Sequence, residues 1–393
     1  MTTYKTPLSL AKKLITLPSY VSETQDETPA TDFLADYIQA NLPALTVERQ
    51  YLEVGSKRCN LIVRGKGEPK LFVLGHIDTV QPKAGWTTNP LEPVIRGGNL
   101  YGLGAADMKS SLAAFVWALV EQKDTIVLDN LLLLIYCDEE YDFKGIMRYV
   151  ADEEVTRLKP TMTLSLDGDL TVATGCRGVI ELNLEVSGKS GHASNPKNGI
   201  NAVTETVLAL QNVSQELSNF VDASLGAATT NIAYLRGGVT QKDEKGQTIW
   251  PREGNVIPDT AEVTFEVRTP LAEVNAQSAL SMIECNLKQR GLVLKQAAVR
   301  HDIKPWLVVY DDASLAILKD AYTKAGVPFE MSDRALQGYI DAQMVAEKVQ
   351  APTFIIGTGG NNKHGANENV SADSIEQVAR IYSEVLRTIL DLR

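Results

Sequence analysis

A wholly apolar run, Leu71-Phe72-Val73-Leu74, feeds directly into Gly75-His76-Ile77-Asp78-Thr79-Val80. An extended chain turns residues i and i+2 to the same side. His76 and Asp78 therefore face one pocket, one as a metal ligand and the other as the group that orients it. The chain of 393 residues contains 4 histidines, so the place of each is informative.

The same pattern recurs along the chain. Leu132–Tyr136 leads to Asp138-Glu139-Glu140, and Leu164-Ser165-Leu166 leads to Asp167. Phe354-Ile355-Ile356 leads through Gly357-Thr358-Gly359-Gly360-Asn361-Asn362-Lys363 to His364. Asp107 stands in Gly102-Leu-Gly-Ala-Ala-Asp-Met-Lys109, at the entrance to a predicted helix. Open α/β sheets build their sites beyond the carboxyl ends of the strands. Two histidines and three carboxylates delivered there form an N/O ligand set suited to two divalent ions, zinc above others. Two metals need a bridging carboxylate, and a further carboxylate must stay free to take a proton from the attacking water. The doublet Glu139-Glu140 fits that division, one glutamate as ligand and one as base. Taken singly, each residue has a plainer reading. Asp107 is a helix N-cap, Glu139-Glu140 a solvated acidic turn, and His364 a surface histidine in a Gly/Asn loop. The ordered set is hard to reconcile with all of these at once.

Hydrophobic periodicity places helices at 5–16, 29–42, 108–122 and near 144–157, and strands at 45–54, 59–64, 71–75, 131–136 and 161–166. Residues 81–104, rich in Gly, Pro and Asn, read as loop. From 179 the texture changes to strand 179–187, helix 199–218, strands 228–235 and 261–268, helix 272–290 and strand 292–299. That β-α-β-β-α-β order is the ferredoxin-like pattern. After Lys304-Pro305-Trp306 the chain returns to helices 313–325, 341–349 and 371–391 with a buried strand at 353–356. The expected fold is therefore α/β: a discontinuous α/β domain, 1–177 and 304–393, with a smaller α+β domain inserted at 178–303.

With 38 Lys+Arg against 49 Asp+Glu, the net charge is −11, which argues against nucleic acid or an anionic membrane as partner. No apolar run approaches the roughly 18–20 residues that cross a bilayer. Met1-Thr-Thr-Tyr-Lys5 has no signal-peptide core. Cys59, Cys137, Cys176 and Cys285 show no paired spacing and read as reduced thiols of a cytoplasmic protein. Cys137, although close to the acidic pair, reads as a buried inert thiol.

These motifs, in this order and over almost the whole chain, resemble the M20 family of co-catalytic metallopeptidases and deacylases. Its members include acetylornithine deacetylase, succinyl-diaminopimelate desuccinylase, glutamate carboxypeptidase, aminoacylase and peptidase T. The resemblance implies a zinc-peptidase-like catalytic domain with an inserted lid and dimerisation domain. It implies two Zn2+, with Co2+ or Mn2+ as substitutes. His76 and Asp167 would hold one ion, Glu140 and His364 the other, and Asp107 would bridge them. Glu139 would be the general base, and Asp78 would orient His76. In the lid, Gly188-Lys-Ser-Gly-His-Ala-Ser194, Gly254-Asn-Val-Ile-Pro258 and Phe265-Glu-Val-Arg268 resemble family motifs. His192 would stabilise the oxyanion, often across a dimer in relatives, while Asn255 and Arg268 would bind substrate. Gly359 is a further expected substrate contact. Without the resemblance, His192 and Asn255 would be turn residues and Arg268 a strand-end residue. His301 matches no motif. In one departure, Gln343 stands where relatives often carry an Arg that grips a substrate carboxylate, with Arg334 nearby as a substitute. The Asp167-Gly168 context is somewhat closer to peptidase T.

The expected activity is hydrolysis of the amide of an N-acyl amino acid, of the acetylornithine or succinyl-diaminopimelate type, by a possible homodimer in the cytoplasm. A di-zinc dipeptidase, tripeptidase or carboxypeptidase acting on short peptides is the alternative within the same chemistry. A non-catalytic metal-binding scaffold is the alternative outside it.

Overall fold

The computed structural model describes residues 4–392. Met1–Thr3, the start of the N-terminal stretch read above, and Arg393 lie outside the described residues. The chain divides into two compact units. The first comprises Met1–Thr174, Val308–Ser332 and Ile340–Arg393, and the second Gly175–Leu307 with Asp333–Tyr339.

The first unit is built on a six-stranded sheet in the order Thr46–Tyr51, Cys59–Arg64, Leu131–Tyr136, Leu71–His76, Met162–Ser165, Thr353–Ile355. The first two strands run antiparallel and the other four are mutually parallel. Leu71–His76 and Leu131–Tyr136 are buried at every position, which is why they read as continuous apolar runs instead of alternating ones. Each large apolar side chain so buried contributes about 1.5–3 kcal/mol. Register carries the consequence for function. His76 pairs with Tyr136, Leu74 with Ser165, and Ile355 also with Ser165. The segments that continue from the four parallel strands therefore leave the sheet at one edge.

Helix Lys109–Gln122 is buried around most of its circumference, with Leu112, Phe115, Val116 and Leu119 fully enclosed. It packs against Pro7–Ile15 and Ala372–Ile389. Pro7–Ile15 starts with a capping box between Thr6 and Ser9, which satisfies amides that the first helical turn leaves open.

Two expectations change here. The segment 81–104 is not all loop. Val94–Arg96 and Asn99–Tyr101 form a ribbon, and Asn99–Tyr101 pairs with Asn369–Ser371. The helix expected near 144–157 stops at Val150, because the Asp152 side chain accepts the Glu154 amide at 3.0 Å and starts a separate 3-10 turn, Glu153–Arg157.

The second unit is a four-stranded antiparallel sheet in the order Thr229–Gly238, Thr260–Thr269, Gly178–Ser187, Val293–Ile303. Helices Ala202–Leu217 and Ala276–Gln289 supply the rest of a β-α-β-β-α-β chain order. Ile180, Leu182, Leu184 and Val186 alternate with polar neighbours and pack with Val263, Phe265 and Val267 into a core of their own. Asp333–Tyr339 joins this unit, and Ala335 lies so close to Gly226 that an added Cβ there would come within 3.1 Å of it. Among the described residues no helix is long and apolar enough to cross a membrane.

Candidate metal centre

Beyond the shared edge of the parallel strands, six side chains of the first unit converge. One potential ligand atom each from His76, Asp107 and Asp167 lie within 4.8 Å of one another. The same holds for Asp107, Glu140 and His364, and for His76, Glu139 and Glu140. Asp107 is common to the first two groups. All six residues singled out from the sequence as ligands or base are thus brought together.

The local chain explains how each arrives. His76 ends its strand, and Gly75 before it leaves room for Met108, whose Cε would lie 2.6 Å from an added Cβ. The His76 amide donates to Met108 Sδ at 3.3 Å, which ties the Asp107 loop to the strand end. Asp107 is not the N-cap of the following helix. Met108 holds that position without a side-chain cap. The Asp107 carboxylate instead lies 3.2 Å from His76 Nε2 and 3.5 Å from His364 Nε2. Glu139 and Glu140 do not form a solvated turn either: their amides donate to the two oxygens of buried Asp78 at 3.1 and 3.0 Å. His76 Nδ1 faces the Asp78 carbonyl oxygen at 3.1 Å and its carboxylate at 3.6 Å. Asp78 therefore fixes both the imidazole and the acidic doublet. His364, in the left-handed region at φ 59°, closes the cluster on its solvent side, its side chain 56% exposed and Nε2 2.9 Å from Glu140 Oε2.

Sequence reasoning missed Glu368. This buried carboxylate accepts the amides of Gly104, Ala106 and Asp107 at 2.8, 2.7 and 2.9 Å. It anchors the Asp107 loop as Asp78 anchors the doublet. Its only sequence signal is a lone acid between two asparagines. Asp341 was also missed. It is fully buried, accepts the Tyr136 hydroxyl at 2.6 Å, and its second oxygen has no partner among the described residues.

Electrostatics in the cluster are strained by burial. Desolvation pushes the pKa of Glu139 well above its ordinary value, opposed by His76 and reinforced by Asp341 and Glu140. Burial likewise raises Glu140 and Asp167. Burial alone would depress His76, but hydrogen bonds to Asp107 and Asp78 carry it well above the usual histidine range. Hydrogen bonds to Asp107 and Glu140 raise His364 to about 10. Crowded buried carboxylates of this kind need positive charge. Glu140 Oε1 is buried with no hydrogen-bond partner among the described residues. The donor set, two imidazoles and carboxylate oxygens, has the chemistry of a divalent-cation site, so these residues fit a pair of ions sharing Asp107.

The remaining expected residues lie elsewhere. Gly359 (φ 61°) donates its amide to Gly168 O at 2.9 Å, so that group shapes the loop. Gln343 is buried and gives its amide at 3.0 Å to Glu347, one turn along its own helix. Arg334 belongs to the second unit, as do His192, Asn255 and Arg268. His192 is exposed, and its Nδ1 accepts the Ser194 amide at 3.2 Å, which puts the hydrogen of the neutral ring on Nε2. The Asn255 carbonyl accepts the Ala193 amide at 2.8 Å, and the residue is exposed. The Arg268 guanidinium is held by Glu266 at 2.9 and 3.1 Å.

Residues 72–388 match the model of peptidase family M20/M25/M40. The succinyl-diaminopimelate desuccinylase of a Nitratiruptor species is 27% identical over 391 residues, covering 97% of this chain and 99% of that protein. The desuccinylase of Nitrosomonas eutropha is 29% identical, with 96% and 98% covered. Among solved structures, a tripeptidase from Staphylococcus aureus superposes with TM-score 0.73 at 20% identity, covering 98% of this chain and 97% of that one. An M20 family metallo-carboxypeptidase from Sulfolobus solfataricus gives 0.76 at 16% identity, with 98% and 99% covered. The family match runs from strand Leu71–His76, through the whole insertion, to helix Ala372–Ile389. The chain is a metal-dependent hydrolase of C–N bonds and belongs to peptidase family M20/M25/M40.

Proposed function

We propose that the protein removes an acyl group from an N-acyl amino acid, with N-succinyl amino acids as the leading substrate class. The observation that carries this reading is the pair of ligand triads sharing Asp107, with Glu139 beside them, in a chain whose full-length relatives bear the desuccinylase name. His76 and Asp167 would hold one divalent ion, Glu140 and His364 the other, and Asp107 both; zinc suits the N/O donor set best. Such ions, when bound, polarise the scissile carbonyl and acidify water.

The chain's own residues do the rest. Glu139 takes a proton from the attacking water on a carboxylate oxygen. The hydroxide so formed bonds to the carbonyl carbon, the C–N bond breaks, and the same proton passes to the leaving amine nitrogen, so that water and amide give carboxylic acid and amine. Asp78 keeps His76 and the doublet amides in place throughout. We assign His192 Nε2 as a donor to the developing oxyanion, and Asn255 and Arg268 to substrate binding, Arg268 by exchanging Glu266 for a substrate anion. We further propose a cytoplasmic homodimer associating through the inserted domain. The free thiols of Cys59, Cys137 and Cys285 suit a reducing compartment.

The test is a substrate panel followed by amine release. N-succinyl and N-acetyl derivatives of basic, acidic and apolar amino acids are compared with free dipeptides and tripeptides. Turnover of the N-acyl amino acids supports the reading, and exclusive turnover of peptides replaces it with a peptidase.

A further inference from the structure

Lys363 stands in an unusual place. Its ammonium lies 3.8 Å from Asp167 Oδ1 and 4.0 Å from Asp107 Oδ2, between two carboxylates of one ligand triad. Its side chain is nevertheless 35% exposed. The backbone on either side is pinned: the Asn361 amide donates to Asn369 O at 2.8 Å, and the Gly365 amide to Asn362 O at 2.9 Å. The four-carbon stem thus extends from a fixed base, partly exposed, beside His364 at the solvent side of the cluster.

The oxygens that Lys363 faces are those a divalent ion would take. An ion bound by Asp107 and Asp167 neutralises the charge that holds the ammonium and repels it at close range. Lys363 must then turn outward. A lysine stem spans about 6 Å and keeps its charged end in water or on an anion. An N-acyl amino acid carries such an anion, its α-carboxylate, and Gln343 is buried and neutral.

We propose that Lys363 is an exchangeable cation: it neutralises Asp107 and Asp167 before a metal ion binds and, displaced by it, pairs with the carboxylate of the substrate. Lys363 is thereby a specificity-determining residue. This rests on the proposed function for the identity of the anion but not for the displacement, and the experiment has one arm for each.

In the first arm, wild type and Lys363→Met are equilibrated against zinc buffers of graded free concentration, and bound zinc is measured, with circular dichroism reporting the fold. Zinc alone is the probe. The variant, having no ammonium to displace, should bind its zinc tighter by about threefold or more. Equal or weaker binding in a folded variant overturns the proposal. In the second arm, the zinc-loaded enzymes hydrolyse an N-succinyl amino acid and its α-carboxamide. Lys363→Met should raise KM for the carboxylate by about tenfold to a hundredfold with little change in kcat. Lys363→Arg should restore most of it, and the carboxamide should not distinguish the enzymes. An unchanged KM on the carboxylate overturns the proposal. If wild type hydrolyses only peptides, the proposed function has failed; the second arm then compares a peptide with its C-terminal amide, and both arms still decide the role of Lys363.

Discussion

Replacing Glu368 by Gln isolates the device that aims Asp107. The carboxylate receives three amides, from Gly104, Ala106 and Asp107, at 2.7 to 2.9 Å. Glutamine can keep one oxygen on the Ala106 and Asp107 amides, but its NH2 group then meets the Gly104 amide, donor against donor. A lost hydrogen bond to a charged acceptor costs about 1.5–3 kcal/mol. Against this, burial has pushed the Glu368 pKa up to about 7, so the wild-type carboxylate is itself expensive to ionise. Its folded pKa lies above the ordinary value, hence folded protein binds the extra proton and stability falls as pH rises from about 4.5 toward 7. Glutamine removes that slope. At pH 7 to 8 the two effects largely offset, and the metal-free variant should melt within a few degrees of wild type. Asp107, in a loop no longer held at Gly104, should bind metal less well, and residues that orient ligands are typically worth about 10–100-fold in metal affinity. The assay pairs zinc-buffered equilibrium binding with thermal melts of metal-free protein at pH 5 and pH 8. Wild-type zinc affinity in Glu368→Gln, or a loss of affinity that tracks unfolding alone, would refute the reasoning.

Asp78→Asn leaves only one good acceptor for the Glu139 and Glu140 amides and should weaken zinc binding by about 10–100-fold, as equilibrium dialysis would register, with the circular dichroism spectrum retained. Asp341, pushed up to about 7 by burial with partial relief from the Tyr136 hydroxyl, makes metal-free protein lose stability as pH rises from about 4 to about 7; Asp341→Asn should flatten that dependence in thermal melts. Arg58 pairs with two buried carboxylates, Glu27 and Asp138, so Arg58→Met should cost about 3–5 kcal/mol in urea unfolding, because both charges lose their partner.

The parts of the site that were legible in the sequence are those written in local pattern. A doubly buried parallel strand is a continuous apolar run, so Leu71–His76 and Leu131–Tyr136 announce themselves, and the site edge lies just beyond the end of each run. The inserted unit was legible for a related reason, since Val179–Ser187 alternates and its two helices have amphipathic spacing. The features that escaped depend on contacts distant along the chain. Glu368 anchors amides more than 260 positions away, and no local period encodes that. The ribbon that pairs Asn99–Tyr101 with Asn369–Ser371 is hidden in three-residue strands among turn residues. Gln343 marked a departure from the family pattern, but only the structure reveals that it is buried and gives its amide to Glu347. Lys363 carried no signal because a lysine in a polar loop looks like any solvated charge, and its meaning comes from the two carboxylates opposite it.

Metal binding by the Asp107-sharing cluster and proton transfer by Glu139 are separated by adding zinc back to chelator-stripped protein while following amide hydrolysis, in wild type and in Glu139→Gln side by side. Stripped wild type should be inactive and regain activity as zinc is restored. Glu139→Gln should take up the same zinc yet stay slower by about 10²–10⁴-fold. Full activity in stripped wild type, or wild-type turnover in a zinc-loaded Glu139→Gln protein, would contradict these assignments.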